Sequence, residues 1–157
     1  MSSPFVSLHV VVRHPASAAR PTLQSLRAQT HTSFQVVLID NASQDNTSPW
    51  QHGEGPDLMV LRNFRDQGFA RAHNQALTSL FARWPQESLA TRWVALLSDR
   101  VVLAPDCVAQ VFQAIQTNAE TTVLSPKVRV AHLDGQEDTD EPRFVDTGII
   151  EEAGRVF

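Results

Sequence analysis

Phe5 to Val12 is a nearly unbroken apolar run that stops at Arg13-His14-Pro15, and no other feature narrows the fold as much. Short and rich in Val, the run reads as a strand rather than a helix. A short, nearly unbroken, Val-rich apolar run is the pattern of a buried strand in a parallel sheet. The rest of the chain repeats the theme. Pro21 suits the first turn of a helix carrying Leu23 and Leu26 on one face and ending near Thr30. Residues 34–39 read as a second strand with Asp40 at its carboxyl end, and residues 58–61 as a third. Residues 41–46 and 51–57 between them are turn-rich breaks.

From Gly68 to Trp84, Phe69, Ala72, Ala76, Leu77, Leu80 and Phe81 recur at spacings of three and four, the mark of an amphipathic helix that Pro85 stops. Residues 93–97 form the most apolar strand. Ser98-Asp99-Arg100 interrupts it, and residues 101–103 are expected to resume it. Pro105-Asp106 begins a helix with Val108, Val111, Phe112 and Ile115 inward, and residues 122–124 are a further expected strand. Alternating strands and helices at this spacing predict an α/β/α sandwich of Rossmann-like type with a mostly parallel sheet. The expected layout is a single domain over 1–157, with βα units over 5–126 and an acidic loop and incomplete hairpin over 127–157. Residues 134–141 read as a solvated loop, with a cation site as the alternative. The hairpin arms would be 144–150 and 154–157, the second cut off at Phe157 as it begins.

Composition removes several classes of function. At 157 residues and 42% hydrophobic the chain fills one core, not two. Thirteen Lys+Arg are interspersed among 17 Asp+Glu for a net charge of −4, so no basic stripe offers itself to nucleic acid. Cys107 is the only cysteine, which excludes a disulfide framework and a CxxC zinc ribbon, and it reads as a small apolar helix residue. No stretch approaches the ~18 apolar residues of a membrane span. Met1 to Pro4 lacks the regions of a signal peptide, so the expected location is the cytoplasm, including the inner face of a membrane. Without a secretory signal the sequons at Asn41 and Asn46 read as coincidence.

There is no GxxxxGK[ST] loop, no GxGxxG after the first strand, no HExxH and no GxSxG elbow. What remains is a set of polar residues at successive strand ends, where open α/β sheets bind ligands: Arg13-His14, Asp40-Asn41, Asn63 and Ser98-Asp99-Arg100.

These residues carry a resemblance. Residues 6–12 (VSLHVVV), 26–30 (LRAQT) and 37–45 (VLIDNASQD) resemble the opening of the family 2 glycosyltransferases of the GT-A fold. Arg62-Asn63, residues 68–75 (GFARAHNQ), 93–97 (WVALL), Pro105-Asp106, 125–127 (SPK) and 146–148 (DTG) continue it in family order, with the flavour of rhamnosyltransferase-like members of cell-wall polysaccharide biosynthesis. The resemblance covers Val6 to Phe157. It implies a nucleotide-diphosphate-sugar donor, a carbohydrate acceptor hydroxyl and inversion at the transferred carbon.

By resemblance Asp40 accepts a hydrogen bond from the donor's base, a task that suits a group able only to accept. Capping the turn through Ser43 is its alternative role. Gly68 opens a helix whose amides and dipole favour a diphosphate, and also permits a tight turn into that helix. Arg13, His14, Asn41 and Asn74 complete the expected donor-binding set. His73 occupies a variable position and reads as a packed or exposed side chain. Arg71 reads as solvated or ion-paired, with phosphate contact as the alternative, and Asp45 as the cap of a short helix starting near Asn46.

The fourth-strand triplet departs from the family. Its last residue is an Asp that holds Mg²⁺ or Mn²⁺ in family members, and here it is Arg100. Three readings stay open: Arg100 neutralises the diphosphate without a metal, Asp99 serves as a ligand shifted by one residue, or the site is catalytically inert. Asp106 suits a helix first turn instead. No acid after Pro126 matches the family's catalytic base, which the resemblance places beyond Phe157, and general-base help is worth roughly 100- to 10,000-fold. The chain is therefore expected to be the donor-binding half of the fold, with little transfer activity of its own and a sheet edge open to self-association. The rival reading is a silent module that keeps the nucleotide pocket, or only the fold for a protein partner.

Overall fold

The computed structural model describes residues 5–13, 19–43, 57–118, 120, 122–125, 128–129 and 144–145. The chain divides into two units, residues 1–116 and 117–157. In the first, β1 (Phe5–Val12), β2 (Phe34–Asn41), β3 (Asp57–Asn63) and β4 (Arg92–Ser98) form a wholly parallel sheet in the order β3-β2-β1-β4. α1 (Arg20–Arg27), α2 (Phe69–Phe81) and α3 (Cys107–Thr117) cover it, and a 3₁₀ turn spans Gln86–Thr91. In the second unit β5 (Val128–Arg129) pairs antiparallel with β6 (Phe144–Val145). Among the described residues no helix is long and apolar enough to cross a membrane.

The alternation of β1 explains the layers. Val6, Leu8, Val10 and Val12 meet Leu23 and Leu26 of α1 and Val108 and Phe112 of α3, while Val11 joins Ala72, Ala76 and Leu80 of α2 on the opposite face. β2 contributes to both cores through Val36 and Leu38 on one side and Val37 and Ile39 on the other, all essentially without solvent contact. Both faces of β1 are buried, Ser7 and His9 included, as expected for an interior strand of a parallel sheet.

Two expected strands are not formed. Residues 101–103 leave the sheet because α1 supplies their polar partners: Thr22 Oγ1 donates to the Asp99 carbonyl at 2.8 Å, and the Leu103 amide donates to Ser25 Oγ at 3.1 Å. Gln29, also buried, donates to the Ala104 carbonyl at 2.8 Å and accepts from the Val108 amide at 2.9 Å. Backbone groups satisfied this way need no ladder. Residues 122–124 likewise form no strand, and Val123 and Leu124 stay exposed. The two apolar residues that follow Thr122 are too few to specify one. Of the expected hairpin only Phe144–Val145 is described. Its remainder through Phe157 and the acidic stretch 134–141 lie outside the described residues.

Candidate functional site

The chain runs β1, β2, β3 outward in one direction and returns to place β4 on the other flank of β1, so the strand order reverses beside β1. A crevice opens beyond the carboxyl ends of the strands at such a reversal. Arg13 and Asp99 end the two strands that flank it, with the Arg13 amide 3.5 Å from Asp99 Oδ2.

Asn41 organises the opposite side. Its side chain is 1% exposed, and its Oδ1 accepts from Asn63 Nδ2 at 3.1 Å and from the Gln67 amide at 3.0 Å, while its Nδ2 donates to Asp66 Oδ1. Asp66 Oδ1 also accepts from the Gly68 amide at 2.7 Å, and its Oδ2 faces Arg13 Nε at 3.7 Å. The segment from Asn63 to the start of α2 is thereby tied to both β2 and β1. Asn41, expected among the ligand-binding residues, commits its amide to this brace and is a positioning residue.

Gly68 precedes α2 with φ 74° and ψ 166°, a conformation essentially reserved for glycine. A Cβ there would lie 3.9 Å from Arg13 Nη2. The helix start and a guanidinium thus share one corner. No acidic side chain occupies the first turn of α2, so nothing on the helix itself competes for an anion.

Asp40 does two jobs in this structure. Oδ1 accepts from the Ser43 amide at 2.8 Å, closing the turn, and Oδ2 pairs with Arg62 Nε at 3.1 Å across the β2–β3 ladder. Turn capping is thus realised, and lone pairs remain on both oxygens for a further donor. Ala42, inside the turn, has φ 66°, a strained value for a side chain with a Cβ.

Arg100 is exposed, and its guanidinium has no partner among the described residues; its amide faces Ser98 Oγ at 3.3 Å. Asn74 is exposed on the second turn of α2, away from the Asn41 brace. Arg71 is exposed and reaches Gln67 Oε1 at 3.4 Å. Asp106 accepts from Gln110 at the start of α3, as its helix-start reading expects. His14 and Asp45 lie outside the described residues. Phe157, beyond which the catalytic base is expected, lies outside them as well.

A divalent cation wants six or more oxygens. The end of β4 supplies one carboxylate, Asp99, with Arg100 following it, and Asp40 and Asp66 are engaged by arginines. Among the described residues no three His, Cys, Asp or Glu side chains converge. These side chains alone give a resident ion too few oxygens, whereas an ion held together with a diphosphate and water uses one or two carboxylates, of which Asp99 is one.

Sequence reasoning missed Asp66 and the Thr22-Ser25-Gln29 stripe. An Asp two residues before a helix-opening Gly is a turn signal, and three polar residues at spacings of three and four on an otherwise apolar helix face announce buried partners. His73 resolves as a packed side chain. It stacks on His9 at 6.1 Å between ring centroids and meets the edge of Phe69 at 4.3 Å. Both imidazoles are buried and none of their four ring nitrogens has a hydrogen-bond partner. Burial, with the neighbouring His73 second, lowers the His9 pKa from 6.5 to about 4, and burial lowers that of His73 as well. Burial and then Asp106 raise the Cys107 thiol, which makes it a poor nucleophile.

Comparison with known proteins adds three findings. The family model described as glycosyl transferase family 2 matches residues 7–144. No curated protein matches the sequence. Among solved structures, S. aureus TarS superposes with a TM-score of 0.54 at 19% identity, over 71% of this chain and 19% of that one. A shorter form, S. aureus TarS 1-349, gives a TM-score of 0.54 at 21% identity, over 71% of this chain and 32% of that one. At such identities the likeness speaks for the fold, and this chain spans under a third of the length of either.

Proposed function

The chain belongs to glycosyl transferase family 2, and from that premise we propose that it is the donor-binding part of a glycosyltransferase that uses a nucleotide-diphosphate sugar in the cytoplasm. The observation that carries this is the convergence of Arg13, Asp99, Asp66 and the glycine-opened start of α2 at the reversal beside β1. A diphosphate needs cations and free amides, and Arg13 with the first turn of α2 offers both. Asp40, a carboxylate at the end of β2, would accept from a ring N–H of the base while still capping its turn.

In the transfer itself an acceptor hydroxyl oxygen bonds to the anomeric carbon as the bond from that carbon to the diphosphate oxygen breaks, inverting the centre, and the hydroxyl proton passes to a general base. Negative charge then grows on the leaving diphosphate. Arg13 and Arg100 would meet that charge. A second reading, a nucleotide-binding module without catalysis, is favoured by Arg100 standing at the end of the Ser98-Asp99-Arg100 triplet.

Calorimetric titration with UDP, dTDP and GDP tests the donor site. We expect weak binding of at least one, reduced tenfold or more in Asp40→Asn, which keeps an acceptor for the Ser43 amide but loses the charge. Absence of binding to the folded chain at millimolar nucleotide, or equal affinity in the variant, would refute the assignment. Transfer of sugar from the donor to an acceptor hydroxyl separates the enzyme from the silent module.

A further inference from the structure

Phe64 is 100% exposed, the only large apolar side chain of the described residues with no protein cover at all. It follows β3 directly. The β2–β3 register sets Arg62 opposite Asp40 and Asn63 opposite Asn41, so Phe64 stands one residue beyond the ladder at the edge where Asp40 ends its strand. Its segment is held from both sides, by buried Asn63 on Asn41 and by the Gln67 amide and Asp66 on the same asparagine. A bare aromatic ring on a braced turn is positioned rather than loosely displayed. Arg62 and Arg65 flank it with positive charge.

We infer that Phe64 is the platform on which the base of the bound nucleoside diphosphate stacks, an inference that rests on the donor-site reading above. The division of labour follows from the chemistry of the ligand. A nucleobase has a π-face, an edge with N–H and C=O groups, and a diphosphate at some distance through the ribose. Asp40 accepts from the edge, Phe64 covers the face, and Arg13 with the start of α2 takes the diphosphate on the far side of the Asn41 brace. Arg62 is paired with Asp40, so the adjacent Arg65 is the flanking charge that favours an anionic ligand over a neutral aromatic one. Every base has a π-face, so Phe64 contributes affinity without choosing among bases.

The test titrates the chain with UDP, dTDP, GDP and, in parallel, inorganic pyrophosphate, using wild type, Phe64→Ala and Phe64→Tyr. A fully exposed side chain can be truncated without loss of the fold. Base–aromatic stacking predicts that Phe64→Ala weakens each nucleoside diphosphate that binds by about 5- to 100-fold. Pyrophosphate affinity should not change, and Phe64→Tyr should bind like wild type. Equal nucleotide affinity in wild type and Phe64→Ala overturns the platform while leaving the donor site standing, as does an equal loss of pyrophosphate affinity. Failure of wild type to bind any of the three nucleotides overturns the donor-site reading, and the platform with it.

Discussion

The buried pair of His9 and His73 makes the stability of the fold sensitive to acid in a window that can be worked out in advance. Both imidazoles are neutral in the folded state, because charging either would place a cation without a partner between β1 and α2. In the unfolded chain His9 protonates near 6.5, and in the fold near 4. The folded pKa is depressed, so the unfolded chain binds more protons between these values. Stability is therefore full above pH 6.5, falls as the pH drops from 6.5 toward 4, and levels below that. At about 1.4 kcal/mol per pH unit the gap is a loss of about 3 kcal/mol for His9 alone, with His73 adding in the same direction. That is a large share of the ~5–15 kcal/mol typical of a domain. Urea unfolding followed by tryptophan fluorescence at about pH 7.5, 5.5 and 4.5 brackets this window and measures the loss. His9→Phe keeps a ring against His73 and removes the titrating group. It should shrink the difference between the two outer pH values by about 2–3 kcal/mol, and carboxylates common to both proteins cancel in the comparison. An undiminished pH dependence in His9→Phe would refute the reasoning.

Other perturbations have equally definite outcomes. Gln29→Ala removes the acceptor for the Val108 amide and the donor to the Ala104 carbonyl, leaving buried groups unpaired, and should cost about 2–4 kcal/mol in urea unfolding. Ala42→Gly relieves a φ of 66° and should stabilise by about 1 kcal/mol, whereas Gly68→Ala imposes strain at φ 74° and should cost about 1–3 kcal/mol. The open space around the Gly68 position, 3.9 Å to the nearest atom, makes that cost one of backbone conformation. If Arg100 neutralises the diphosphate, nucleotide affinity should be indifferent to EDTA and Mn²⁺ and should weaken with salt, while Arg100→Asp should lose metal-free binding and gain Mn²⁺-dependent binding. Strong Mn²⁺ dependence in wild type would point to Asp99 instead.

The parallel sheet was legible because burial on both faces writes itself into composition. Residues 5–12 and 34–39 are short, predominantly apolar runs, and the helix beginning after Gly68 declares its single face by spacing. Strand ends were less legible. β2 and β3 each run on into polar residues, Asp40-Asn41 and Arg62-Asn63, because their side chains find partners across the ladder. Apolarity alone stops too early at such ends. Residues 101–103 fail the other way: they are apolar enough for a strand, yet Thr22 and Ser25 bind the backbone on either side of them first. That competition is tertiary and has no local signature.

The site divides along the same line. Which residues gather was readable, since topology sends Arg13, Asp40, Gly68 and Asp99 to one edge once the strands are known. What each side chain does there depends on its immediate partners. Asn41 and Asp40 are neighbours in sequence, but alternation along β2 turns the first inward to brace residues 63–68 and leaves the second on the opposite face, beside Arg62. One is consumed by architecture and the other retains lone pairs for a ligand. The same logic separates the arginines. Arg13 and Arg62 are each committed to a carboxylate, Asp66 and Asp40, whereas Arg100 has none among the described residues. If a diphosphate binds at this edge, it competes with Asp66 for Arg13 and with no described carboxylate for Arg100, which is why Arg100→Asp tests the metal-free reading most directly.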